Sequence, residues 1–314
     1  MTVESTEQRD HDAVAAANLR RSRRRWRALT FIVAIIAVLA LAGRFGTDIG
    51  HGQGEIARVA ITGTISSDRD RTELLKKLGD DPNVKAVLVD INSPGGSTAG
   101  GEELFETLGA LRAKKPVVAI IDEMGASAAY MTAIAADHIF ARRLSIVGSI
   151  GVLFQSVNAG KLLDTIGIGT EKIASGPLKA EPSIDKPMSP EVRASLTSLV
   201  TDSFNWFVDI VAARRGLARP DVLALADGRI LTGRQALGDK LIDAIGGESE
   251  ALDWLTKEKH VATGLPVVTR FPLNNSGWGG FGKWVGSEAR AAVGLDAGGA
   301  LPLDGLVSLW QVGS

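Results

Sequence analysis

The chain has 314 residues, 45% of them hydrophobic and 23% charged, and a formal net charge of −1; this leaves room for one catalytic-sized domain with appendages and gives no bulk charge that would favour nucleic acid. It contains no cysteine, which excludes disulfides, thiolate metal sites and a cysteine nucleophile, and is compatible with an oxidising compartment. Only four histidines are present, His11, His51, His138 and His260, so a histidine-based mechanism has few residues to draw on.

Residues 1–27 form a polar lead that ends in a cluster of arginines, Arg20, Arg21, Arg23, Arg24, Arg25 and Arg27, and read as a cytoplasmic basic tail. Residues 28–45 read as a transmembrane anchor. Ala28 to Ala42 carries no charge and a single threonine, and Trp26 and Phe45 extend it to the lower limit of what a bilayer needs. The arginines on its N-terminal side place that side in the cytoplasm and the bulk of the chain outside. Ala40-Leu41-Ala42 before Gly43 also resembles a small-residue cleavage site, but the polar lead is long for a signal peptide and favours an uncleaved anchor. A buried helix of the soluble domain is the third reading, and the dense arginine flank counts against it. Residues 46–55, glycine-rich and polar, read as a linker.

From 56 to 260 strand and helix patterns alternate. Ile56 to Ile65 is β-rich, and Leu74, Leu75 and Leu78 mark one face of a short helix. Val84 to Ile91 is a continuous apolar run of the kind found in buried parallel strands, and Asn92-Ser93-Pro94-Gly95-Gly96 is expected to break it sharply. A helix with Leu104, Leu108 and Leu111 on one side follows, then the strand Pro116 to Ile121. Small residues from Gly125 to Ala136 predict a close-packed helix, and His138–Ala141 and Ile146–Leu153 predict short strands. Pro190 to Arg214 is a long amphipathic helix, with further helical stretches at 232–245 and 249–257. This alternation predicts an α/β domain with a mostly parallel sheet and flanking helices. Residues 261–314, rich in glycine and with scattered tryptophans, read as a loosely structured tail.

Two strand-to-helix junctions could carry chemistry, because ligands of parallel α/β sheets bind at the carboxyl ends of strands. At the first, Gly95-Gly96 leaves backbone N–H groups open to an anion such as the oxyanion of a tetrahedral intermediate; two glycines also simply make a tight turn. At the second, Ser127 sits among glycine and alanine at a helix start, where the positive end of the helix suits a nucleophile; an N-cap or a packing role explains the same placement. A serine hydroxyl needs a base. His138 falls inside an expected strand and reads as a packed residue. A lysine serves only when held neutral, well below its ordinary value of about 10.4, and Lys179 by itself looks like a surface lysine.

Taken in order, Asn92-Ser93-Pro94-Gly95-Gly96, Ala126-Ser127-Ala128-Ala129-Tyr130, Ala135–Ala141, Gly148-Ser149-Ile150-Gly151-Val152, Ser175–Lys179 and Ala226–Arg229 with Thr232–Ala236 resemble the signal peptide peptidase SppA family in its short, single-unit form. The resemblance runs from about Val59 to Gly247. It implies a ClpP/crotonase-like fold and a serine endopeptidase with Ser127 as nucleophile and Lys179 as general base, the lysine reaching across a subunit boundary in a homo-oligomeric ring. It further implies that Gly96 helps form the oxyanion hole and that Ser149 orients the lysine. The implied substrates are remnant signal peptides, met at the extracytoplasmic side of the cytoplasmic membrane by a single-pass protein that needs no cofactor or metal and binds no nucleic acid. Glu123-Met124-Gly125 departs from the family pattern and bears on pocket shape. A crotonase-type acyl-CoA enzyme and a non-catalytic membrane scaffold remain as alternatives. A Ser-His-Asp peptidase lacks a histidine at the spacing it needs.

Overall fold

The computed structural model describes residues 54–272 and the backbone of Val307–Leu309. The expected basic tail and anchor, most of the expected linker and most of the expected tail lie outside the described residues. Among the described residues no helix is long and apolar enough to cross a membrane.

The described residues open with strand β1 (Glu55–Ile65), helix α1 (Arg69–Asp80), β2 (Val84–Ser97), α2 (Thr98–Arg112), β3 (Val117–Ala126) and α3 (Ala128–Ile134). It continues through β4 (His138–Ala141), β5 (Ile146–Gly148), α4 (Gly160–Thr165), α5 (Pro190–Arg215) and α6 (Arg219–Leu225). The last elements are β6 (Ile230–Thr232), α7 (Gly233–Gly238), β7 (Ala244–Ile245), α8 (Glu248–Lys259), β8 (Val267–Thr269) and β9 (Val307–Leu309). One mixed sheet carries the strands in the order β6-β5-β3-β2-β1-β8, with β4 and β7 alongside β3 and β9 beside β2. Its pairings are parallel except β5 with β6 and β2 with β9.

The apolar run in β2 is continuous because both faces of the sheet are covered. Side chains alternate along a strand: Val87, Val89 and Ile91 enter a core shared with the early helices and α5, whereas Ala86 and Leu88 enter a second core under α8. Fully buried Leu75, Leu104, Leu108, Tyr130 and Phe207 anchor the larger core, and each such side chain contributes about 1.5–3 kcal/mol. Helix starts follow ordinary capping chemistry. Asp68 accepts from Arg71 N, Ser97 from Gly100 N, and Ser189 from Val192 N ahead of Pro190.

The expected break at Asn92–Gly96 is a ladder irregularity instead. β2 runs on to Ser97, with register shifts between Ile91 and Ser93 against β3 and between Thr62 and Thr64 against β1. Pro94 has no N–H to give a ladder, and an irregular point in the strand tolerates that lack. The helix expected from Gly125 is shorter, since Gly125 and Ala126 still belong to β3. The stretch 232–245 divides into α7 and β7, and β8 adds a sheet strand inside the region read as tail.

Candidate active site

β3 changes partners along its length. Val118–Ile121 pair with β4, whereas Met124, Gly125 and Ala126 pair with Ile146, Val147 and Gly148 of β5. Gly125 is a glycine because a Cβ there would lie 2.8 Å from Ile121 Cδ1. The strand then ends abruptly at Ser127, whose φ of 58° and ψ of −121° lie outside the regions open to L-residues. Such a conformation costs about 1–3 kcal/mol and survives only where surrounding contacts enforce it. Here Ser127 N donates to Gly148 O at 2.8 Å, and Ser127 O accepts from Tyr130 N and Met131 N at 2.8 and 3.0 Å. The Ser127 side chain makes no capping hydrogen bond to α3, so the N-cap explanation of this serine fails. Ser127 is only 1% exposed.

α3 is buried along its whole length. At its far end Arg214 of α5 donates to Ile134 O and Ala136 O, both at 2.6 Å, satisfying carbonyls that a helix end leaves unpaired. Tyr130 Oη donates to Leu241 O at 2.8 Å, and burial pushes its phenol far up, so it stays a neutral donor. The start of α2 crosses the start of α3 closely, for a Cβ on Gly101 would meet Met131 Sδ at 2.7 Å and Ala128 Cβ at 3.0 Å. The end of β2 is therefore brought beside the serine.

That strand end is built around Ser93 and two glycines. Buried Ser93 donates from Oγ to Gly63 O at 2.6 Å and accepts from Gly95 N at 3.1 Å. Gly95 has φ 106°. Gly96 packs so tightly on β1 that a Cβ would lie 1.8 Å from Ile65 O, which admits no other residue. On the opposite side, Ser149 follows Gly148 directly, so the register that sets Ala126 against Gly148 carries Ser149 next to Ser127. Ser149 is 7% exposed with φ 51°, and its N–H donates to Arg229 O at 2.8 Å. Arg229 in turn grips Asp227 at 2.8 Å through Nε and holds that carboxyl down to about 2. The Asp227-Gly228-Arg229 turn thus positions Ser149. The sequence shows the turn as a short Asp-Gly pair but gives no sign of its target.

The structure accordingly brings Ser127, Ser149 and the Gly95–Ser97 strand end together. It leaves Lys179 exposed on the segment between β5 and α5, where its N–H bonds Gly176 O at 3.2 Å and its carbonyl accepts from Lys172 Nζ at 3.2 Å. Glu181 on that segment pairs with Lys172 and Lys186. His138 is a packed residue, as the sequence implied. Its ring stacks between Phe140 and Trp254, both at 4.7 Å, and burial lowers its basicity. It pairs with Val118, eight residues before Ala126 on β3, a separation of about 25 Å along a strand. No group of side chains suited to a metal ion occurs among the described residues.

A buried serine held in a strained turn at a helix start, with glycine backbone beside it, is an arrangement that suits serine-type hydrolysis on an α/β fold. The sequence pattern described as Peptidase family S49 matches residues 109–262. A Synechocystis protein provisionally named a protease is 40% identical over 202 residues, covering 64% of this chain and 73% of its own length. A Methanocaldococcus jannaschii protein, also provisionally named a protease, is 32% identical over 291 residues, covering 88% and 92%. An Enterococcus faecium protein provisionally named signal peptide peptidase SppA is 33% identical over 224 residues, covering 71% and 64%. The chain belongs to peptidase family S49, the family of signal peptide peptidase SppA. It is a serine-type peptidase by family, which leaves the acyl-CoA reading without support.

Proposed function

We propose that this peptidase is a membrane-anchored endopeptidase that degrades remnant signal peptides, with Ser127 as nucleophile and Lys179 of a neighbouring subunit as general base. The observation that carries the reading is the placement of Ser127, strained, buried and not used as a helix cap. The position of Lys179 supports a base supplied from outside the subunit. The segment that bears it exposes Leu153, Val157, Leu162, Ile166, Ile173 and Leu178 among others, an apolar density that marks a surface covered by another molecule. A second copy in a ring of ClpP/crotonase-like subunits is the fitting cover, since a head-to-tail interface sets this segment of one copy on the body of the next.

In the reaction, neutral Lys179 Nζ takes the proton of Ser127 Oγ as that oxygen bonds to the peptide carbonyl carbon. The Gly96 N–H holds the oxyanion, and Ser149 Oγ holds the lysine amine in line. The tetrahedral intermediate collapses, the C–N bond breaks, and the lysine ammonium returns the proton to the leaving amine. A water then gives its proton to lysine and attacks the acyl ester, and Ser127 recovers its proton as the acid product leaves. Residues 28–45 place the domain at the extracytoplasmic face of the cytoplasmic membrane, where apolar signal-peptide remnants accumulate. The test is hydrolysis of an apolar signal peptide by the full chain in detergent. Ser127→Ala should abolish cleavage and Lys179→Ala should lower kcat by at least about 100-fold, with both variants folded. If Lys179→Ala keeps wild-type kcat, the base lies elsewhere.

A further inference from the structure

Lys179 sits on a part of the chain that regular structure does not hold. Residues 166–189 are turns and irregular backbone, yet a general base must be held to within about 0.5 Å of its working position. Side-chain bonds centred on Glu181 fix this segment instead. The Glu181 carboxylate is only 6% exposed and pairs with Lys172 and, at 3.2 Å, with Lys186. It also accepts from Ser183 N at 2.9 Å. These donors, the hydrogen bond from Lys172 foremost, hold the carboxyl below its ordinary range, so it stays ionised at neutral pH. An exposed ion pair holds little, but a covered carboxylate with several donors fixes each of them in one geometry.

Lys172, anchored in this way, reaches the lysine itself. Its Nζ donates to Lys179 O at 3.2 Å, while Lys179 N donates to Gly176 O at 3.2 Å, so both main-chain groups of Lys179 are pinned. Ala180 follows with φ 57°, a left-handed conformation that alanine keeps only where its surroundings enforce it. The limbs of the segment are tied further back: Asp185 accepts from the Thr170 and Ser183 hydroxyls, and Ala159 N donates to Ile184 O at 2.7 Å. We propose that Glu181 is a positioning residue for Lys179, acting through Lys172, which carries the hold of the carboxylate across to the Lys179 carbonyl. The inference deepens the proposed function and rests on its assignment of Lys179 as the base. Glu181 and Lys172 set the point from which the Lys179 side chain reaches the neighbour's serine, so their loss costs turnover and not peptide binding.

The experiment measures hydrolysis of an apolar signal peptide by the full chain in detergent, for Lys172→Met, Lys172→Arg, Glu181→Gln and Lys179→Ala. Lys172→Met and Glu181→Gln should each lower kcat about tenfold at unchanged KM, because a slightly displaced base loses rate and not substrate. Lys172→Arg keeps donors for both Glu181 and the Lys179 carbonyl and should stay within about twofold of wild type. The double variant Lys172→Met/Glu181→Gln should be no slower than Lys172→Met, since both changes act through one bond. Hydrogen exchange across residues 176–183, in a Ser127→Ala background, should be about tenfold faster with Lys172→Met and unchanged with Lys172→Arg. Wild-type kcat in Lys172→Met overturns the inference. A loss confined to KM or to assembly overturns it also, by reducing the Glu181 cluster to a structural part of the segment. Exchange that changes as stated while Lys179→Ala keeps wild-type kcat upholds the hold on the segment and contradicts the assignment of the base instead.

Discussion

Ser127 illustrates how a residue's conformation separates readings that composition leaves tied. In the sequence it is a serine among small residues at a helix start, where nucleophile, N-cap and packing roles look alike. Its backbone at φ 58°, ψ −121° and the missing side-chain cap remove the second of these. Ser127→Gly should therefore raise the unfolding free energy in urea by about 1 kcal/mol, because glycine adopts that conformation without strain, while abolishing hydrolysis. Loss of stability instead would mean the conformation is not strained. Asp90 allows a second check. Burial, a hydrogen bond with Asp122 and the charge of Asp122 push its carboxyl up to about 6, against the opposing charge of Arg58. A carboxyl raised on folding stabilises the fold most below the unfolded value of 3.8 and loses that contribution as pH rises through about 6. Asp90→Asn should match the wild-type Tm near pH 4 and exceed it at pH 8 by about 3 °C, a gain kept small by solvent screening of a half-exposed group. Nothing in the sequence hints at this carboxyl pair, because Asp90 and Asp122 meet only through the β2–β3 register.

Among the elements, those with strong periodicity were legible and those set by tertiary contact were not. Val84–Ile91 reads as a buried strand because a sheet covered on both faces removes the polar alternation, and Leu104, Leu108 and Leu111 read as one helix face because all three enter the same core. The passage of β2 through Pro94 was hidden, since local chemistry argues for a stop and only the neighbours β1 and β3, shifted in register, carry the strand onward. α3 owes its position to partners distant in sequence, Arg214 above all. Arg214→Met keeps most of the packing but strips the donors from Ile134 O and Ala136 O. It should cost about 2 kcal/mol of stability, the usual worth of hydrogen bonds from a charged donor, and should reduce kcat through loosening of the helix that starts at Ser127. An unchanged urea midpoint would show that water replaces the guanidinium without loss.

At the scale of the whole molecule, the sequence identified the family through spaced motifs but offered no physical reason for Lys179. In the fold, the body of the subunit brings Ser127, the glycines and Ser149 together, and a separate exposed apolar segment carries Lys179. Under the proposed mechanism a subunit would be incomplete by itself, and a head-to-tail ring would complete each site with its neighbour. The direct test is to mix full-length Ser127→Ala and Lys179→Ala chains, each inactive alone, dissociate them and reassemble them together. With the lysine supplied by a neighbour, random mixing at equal amounts pairs an intact serine with an intact lysine at about one quarter of sites, and hydrolysis of the apolar peptide should return to about that fraction of wild type. Activity that stays at the level of the separate variants, in assemblies shown to contain both chains, would contradict a lysine shared across the interface.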